Sequence, residues 1–254
     1  MRKATLIDIL AAEQEIEFKF YSEFEKFFVL FSECIDALIN RSYVECMIPA
    51  DIESDDYLFY FYAKESYMHA PFAFRSVTVL MAKGQYQEGL NLCRSTIENL
   101  INCKYLFFNK EQAKKTLRGD FFSIKDRWEF IAGEGAYQKI YKLLCRTEHK
   151  NFGWGNSQPR LNAKFSQQEQ FSLIPIYDQK QAGMIINYVL FLVYGYLNLF
   201  SLFFTCKNNE VDIEFDLTKR KLNDLLTQQK NKFPEAKVWC LIMEQIVNKE
   251  WMPK

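Results

Sequence analysis

The chain has 254 residues with 49% hydrophobic and 17% aromatic content, enough to bury a substantial core and too apolar for a disordered segment. Lys+Arg and Asp+Glu are equal at 32 each, so net charge gives no general attraction to nucleic acid or anionic membrane, and any such binding needs a local patch. Seven cysteines, scattered singly without a Cys-x-x-Cys pair, argue against a disulfide framework and a zinc site and suit a reduced, cytoplasmic setting.

With 9 Gly and 6 Pro there is little turn chemistry for a many-stranded fold, and the long periodic segments predict an all-α protein. Thr5 and Asp8 form a capping-box start. Leu6, Ile9, Phe18, Tyr21, Phe24, Phe28, Phe31, Ile35 and Leu38 then recur at three and four. That spacing predicts one amphipathic helix to Asn40, about nine turns long, whose aromatic stripe is a packing surface. The first residues lack the apolar core of a secretion signal. Pro49 breaks the pattern, and Asp51, Glu53, Asp55 and Asp56 precede the next helix, where acids favour the positive end of the dipole. They lack the glycine and spacing of an EF-hand.

Helices are expected from about Asp56 to Tyr67 and from Pro71 to Lys83, with His69 in the turn between them. Gly84-Gln-Tyr-Gln makes a short connection into a helix ending near Phe108, so the two form an antiparallel hairpin. In that helix Leu90, Cys93, Ile97, Leu100, Ile101 and Phe108 share one face. Arg94 falls inside the arc, with Glu98 one turn on at its edge. A guanidinium there is costly to desolvate unless a carboxylate meets it. Basic-before-acidic is the weaker order for a solvated pair, so the expectation is a semi-buried tertiary pair. Arg75, on the preceding helix, is placed to approach it.

Glu111–Leu117 and Phe121–Ile131 read as shorter helices. Residues 136–150 carry Tyr137, Ile140, Tyr141 and Leu144 on one side and Lys139, Lys142, Arg146, His149 and Lys150 on the other, a basic stripe with a histidine. Cys145 neighbours His149 but lacks an orienting third group for nucleophilic catalysis. Asn151 opens a loop-like run to Pro159, and a polar connection continues to Pro175. Met184–Cys206 contains no charged residue. Its length would allow a membrane span, but its polar residues and the lack of a lysine-rich collar favour a central helix surrounded by others. Two polar helices, about Leu217–Lys230 and Pro234–Trp251, close the chain. No phosphate-binding glycine loop, Gly-x-Ser-x-Gly elbow or His-Glu-x-x-His occurs, and no metal or cofactor is expected.

Leu-Cys-Arg94-Ser-Thr-Ile-Glu98-Asn-Leu-Ile and Tyr141-Lys-Leu-Leu-Cys-Arg-Thr-Glu-His149 resemble an uncharacterised bacterial group related to the HEPN (higher eukaryotes and prokaryotes nucleotide-binding) superfamily. The resemblance covers about residues 70–205. It implies a HEPN-like helical bundle and a metal-independent endoribonuclease site at a homodimer interface, in a phage-defence or toxin–antitoxin setting. Arg146 would stabilise phosphate charge, and His149 would act as base toward a ribose 2′-hydroxyl or orient it. Lys142, Lys150 and Asn151 would face the substrate, and Arg94 and Glu98 would support the site. Only Thr147 and Glu148 separate Arg146 from His149, where the superfamily has four to six residues.

Residues 1–254 are therefore expected to form a single all-helical domain, with a long amino-terminal helix and extra carboxy-terminal helices around the HEPN-like core. RNA is the first expected partner. A non-catalytic module for oligomerisation or for docking a protein partner, and a membrane-associated protein anchored by residues 184–206, are the alternatives.

Overall fold

In a computed structural model of the protein, the described residues are 5–40, 54–117, 123–135, 137–138, 177–203 and 209–232. They form eight helices and no strand: α1 Leu6–Glu23, α2 Glu25–Asn40, α3 Ser54–Ala82, α4 Tyr86–Phe108, α5 Lys110–Leu117, α6 Ile124–Ala132, α7 Gln179–Phe203 and α8 Asn209–Lys232. The protein is all-α. The expected helix at Pro234–Trp251 and the basic helix with its loop lie outside the described residues, apart from residues 137–138 at the start of the basic helix.

The amino-terminal helix begins as expected. Asp8 accepts from the Thr5 backbone N–H at 2.8 Å, and Thr5 Oγ1 accepts from the Asp8 N–H at 3.3 Å, the reciprocal capping box. It is not one helix, however. The backbone departs from helical geometry at Phe24 (φ −111°, ψ 27°), although the Phe24 and Phe28 N–H groups still reach back to Phe20 and Phe24. The buried side of α1 also differs from the expected one. Glu13, Ile16 and Phe20 are buried, whereas Leu6, Phe18 and Tyr21 are exposed. Apolar residues occur on both sides of α1, so periodicity alone could not choose between them. The position of α3 decides.

The two helices expected on either side of His69 are one, and His69 is an exposed helical residue of α3. Pro71 sits inside α3 with its ring buried. It removes one backbone donor, but packing on both flanks keeps the chain helical through it. The α3–α4 turn is as read. Gly84 has φ +72°, its N–H donates to the Met81 carbonyl at 2.9 Å, and the Gln85 N–H donates to Leu80 at 2.8 Å. That is a Schellman ending, which needs the left-handed conformation glycine adopts without strain.

α7 is the central post. Its residues from Gln181 to Asn198 are almost continuously buried, packed against α3, α4, α8 and α2. Asp178 caps it, accepting from the N–H groups of Lys180 and Gln181 at 3.0 Å each. Surrounded on all sides, the helix is apolar all round. No helix among the described residues is long and apolar enough to cross a membrane, which removes the anchor reading of residues 184–206 as far as they are described. α8 lies against α2 and α7, with Lys221 Nζ bonded to Glu33 Oε2 at 2.8 Å.

Candidate functional site

α4 carries the residues that sequence singled out. Its apolar face is buried as expected at Leu90, Cys93, Ile97, Leu100 and Ile101, while Phe108 is only partly covered. A second stripe runs beside it. Gln87, Asn91, Arg94, Glu98 and Asn102 fall within about 80° of arc at 100° per residue, and all five are half-buried.

Arg94 Nε lies 3.3 Å from Glu98 Oε1, with the side chains 21% and 24% exposed. This is the semi-buried pair expected from sequence. The approach is ionic rather than an aligned hydrogen bond, and both side chains make further interactions. Arg75 takes no part as far as the described contacts go: it is exposed on α3, near enough to Tyr21 of α1 for its charge to favour the phenolate there. Beside the pair, the Asn91 Oδ1 atom is buried and meets no hydrogen-bond donor among the described residues.

The stripe ends in a polar relay that the sequence reading missed. The Arg127 Nη1–H of α6 donates to Asn102 Oδ1 at 2.5 Å, and the Asn102 amide lies 3.5 Å from the Tyr62 hydroxyl of α3. Burial, and then the neighbouring Cys103, push the Tyr62 hydroxyl above its ordinary pKa. Polar residues recurring at three and four along a helix with a buried side were the available signal. Arg127 carried none, because its alignment with Asn102 depends on how α6 docks. That docking rests on Trp128, fully buried, and on the Tyr105–Phe130 edge contact, centroids 5.1 Å apart.

Arg94 and residue 102 are separated by about 12 Å along the helix axis at 1.5 Å per residue, so the stripe offers two guanidinium positions with amides between them. Guanidinium forks suit phosphate or carboxylate recognition, and Glu98 offsets the charge of Arg94. Lys142, Arg146, His149, Lys150 and Asn151 lie outside the described residues, so of the expected site residues only Arg94 and Glu98 are brought together here. Among the described residues no three His, Cys, Asp or Glu side chains gather as a metal site. Cys34, Cys93 and Cys103 are buried free thiols, each pushed up to about 12 chiefly by burial, which keeps them protonated and poorly nucleophilic.

A second polar cluster joins the end of α1 to the starts of α4 and α7. The Tyr177 hydroxyl donates to Glu23, and the Asp178 N–H donates to the Tyr86 hydroxyl at 3.0 Å. Burial first, and then the Glu23 carboxylate, raise the pKa of Tyr177. This is a clamp between helices rather than an open site.

Set against known proteins, no family model matches this sequence, and no curated protein or solved structure matches it either. The fold and the stripe define the class: an all-α protein with an ion pair and an Arg–Asn–Tyr relay along one side of its α4 helix.

Proposed function

We propose that this chain is a HEPN-like RNA-binding protein that contacts the phosphate backbone, with metal-independent cleavage as the activity its Arg146 and His149 would supply. The observation that supports the reading is the half-buried Arg94–Glu98 pair, set in a stripe that continues to Arg127. Arg94 and Glu98 hold the scaffold. Lys142, Arg146, Lys150 and Asn151 supply the phosphate contacts. In cleavage the ribose 2′-oxygen attacks the adjacent phosphorus and His149 takes its proton. Arg146 offsets the charge that builds on the phosphoryl oxygens, and the 5′-oxygen leaves with a proton from water, giving a 2′,3′-cyclic phosphate. A phage-defence or toxin role follows from the resemblance alone.

The test uses the full chain with a labelled single-stranded RNA in EDTA, titrated from about 50 to 200 mM salt. Binding that weakens with salt, as release of phosphate counterions requires, and that falls at least tenfold in Arg146→Ala, is the expected result. Product bands lost in His149→Ala would add cleavage. Absence of binding at 50 mM salt, or binding and products untouched by both substitutions, overturns the reading.

A second reading, a non-catalytic helical module that docks partners, is favoured by a different observation: large apolar side chains exposed along α1 and α3.

A further inference from the structure

The outer side of α1 is apolar and uncovered. Ile7 and Phe18 are each 77% exposed, Leu10 48% and Tyr21 41%, with exposed Gln14 among them. A single exposed apolar side chain is ordinary; four on one arc, on a helix whose opposite side already supplies Ile16 and Phe20 to the core, are not.

The order of these residues says more than their number. Positions 7, 10, 14, 18 and 21 are spaced 3, 4, 4 and 3, so the pattern reads the same in both directions from Gln14. Two copies of such a helix laid antiparallel about a two-fold axis at Gln14 match themselves throughout. Ile7 meets Tyr21 of the other copy, Leu10 meets Phe18, and the two Gln14 amides face each other. An isologous interface requires this self-complementarity, and a polar residue within an apolar seam fixes register. The steps of three and four follow from the helix period itself; the mirrored residue types, two apolar side chains on each side of one amide, are what a second copy requires.

The surroundings allow the approach. Lys83 Nζ and Gln85 Nε2 hold the two oxygens of Glu13 at 3.3 and 3.0 Å, and Tyr21 lies within reach of the Arg75 and Lys83 charges. α1 therefore runs antiparallel to α3, and its first two turns pass beyond the α3–α4 connection. Phe72 and Val79 flank Arg75 on α3 and are themselves exposed, widening the surface at the Tyr21 end. Taking full areas of ~200 Å² for aromatics and somewhat less for Leu, Ile and Val, the exposed fractions leave on the order of 600 Å². With exposed Ala11 and Gln14 on the same arc, the surface approaches the ~800 Å² that each partner contributes to a stable interface.

We infer that α1 is the seam of a homodimer of this chain, antiparallel and two-fold about Gln14. The inference is independent of the RNA reading, since it uses neither the α4 stripe nor the basic segment.

Light scattering on the full chain at about 50 μM should give the mass of two chains. Phe18→Glu should raise the dimer dissociation constant at least 100-fold and give one chain, with helical circular dichroism unchanged because the residue is exposed. Val29→Glu, an exposed apolar site on α2, should leave the dimer intact. Gln14→Cys should form a disulfide-linked dimer under mild oxidation, and Lys19→Cys, turned away from the seam, should not. A monomeric wild-type chain, a dimer that survives Phe18→Glu, or Gln14→Cys linking no better than Lys19→Cys, each overturns the proposal.

Discussion

Lys104 stands on the core-facing side of α4 with no exposed surface. Burial lowers its ammonium pKa to about 8, because the charged form is the one that low dielectric penalises. The unfolded chain, with the ordinary value of 10.5, holds more protons than the folded chain between those two pH values. Stability therefore gains from this group as pH rises from 8 to 10.5, and below 8 the full cost of the buried charge is present. Lys104→Met keeps the length and removes the charge. It is expected to be neutral or to stabilise by about 1–3 kcal/mol at pH 7 in urea unfolding. The difference between variant and wild type should shrink from pH 8 to 10.5, which also separates Lys104 from the buried tyrosines and thiols that titrate in both proteins. A variant that loses several kcal/mol at pH 7 would mean that the interactions of the ammonium outweigh its desolvation. At 100° per residue Lys104 falls in the same arc as Ile97 and Leu100, but a lysine can extend its charge to solvent along its own stem, so spacing does not say that it stays inside.

At the scale of elements, the α3–α4 hairpin depends on one residue that has no side chain. Gly84 has φ +72°, a region where a β-carbon is strained. Gly84→Ala should cost about 1 kcal/mol, read as a lower urea midpoint with the slope of the transition unchanged. A loss below 0.3 kcal/mol would show that the turn relaxes to another conformation. This hairpin was legible because its signals are local: a glycine between two periodic runs. The amino-terminal pair was less so. No breaker residue stands at Phe24, yet the chain departs from helix there, with α1 and α2 each packed on α3. Pro71 misled in the other direction, since its break signal yields to the packing of α3 against α4 and α7.

For the molecule as a whole, the junction is at Tyr196, where three helices meet. The Tyr67 hydroxyl of α3 donates to the Tyr196 carbonyl at 2.7 Å, the Tyr196 hydroxyl donates to the Thr96 carbonyl of α4 at 3.3 Å, and the rings of Tyr67 and Phe74 meet the Tyr196 ring edge-on. Tyr196→Phe should cost about 1 kcal/mol for one buried hydrogen bond, and Tyr196→Ala about 3–5 kcal/mol for the cavity. Equal losses from both substitutions would place the stabilisation in the hydroxyl and not in the packing.

By itself the sequence determined the helical class, the capped start at Thr5, the Gly84 turn, the buried side of α4 and the Arg94–Glu98 pair. Each of these is written within a few consecutive turns of chain, where spacing and local backbone chemistry act. Tertiary structure alone decided which side of α1 is covered, that α3 runs unbroken through Pro71, and that Arg127 reaches Asn102. Those outcomes depend on distant segments meeting, and a helix with apolar residues on two sides buries whichever one its neighbour reaches.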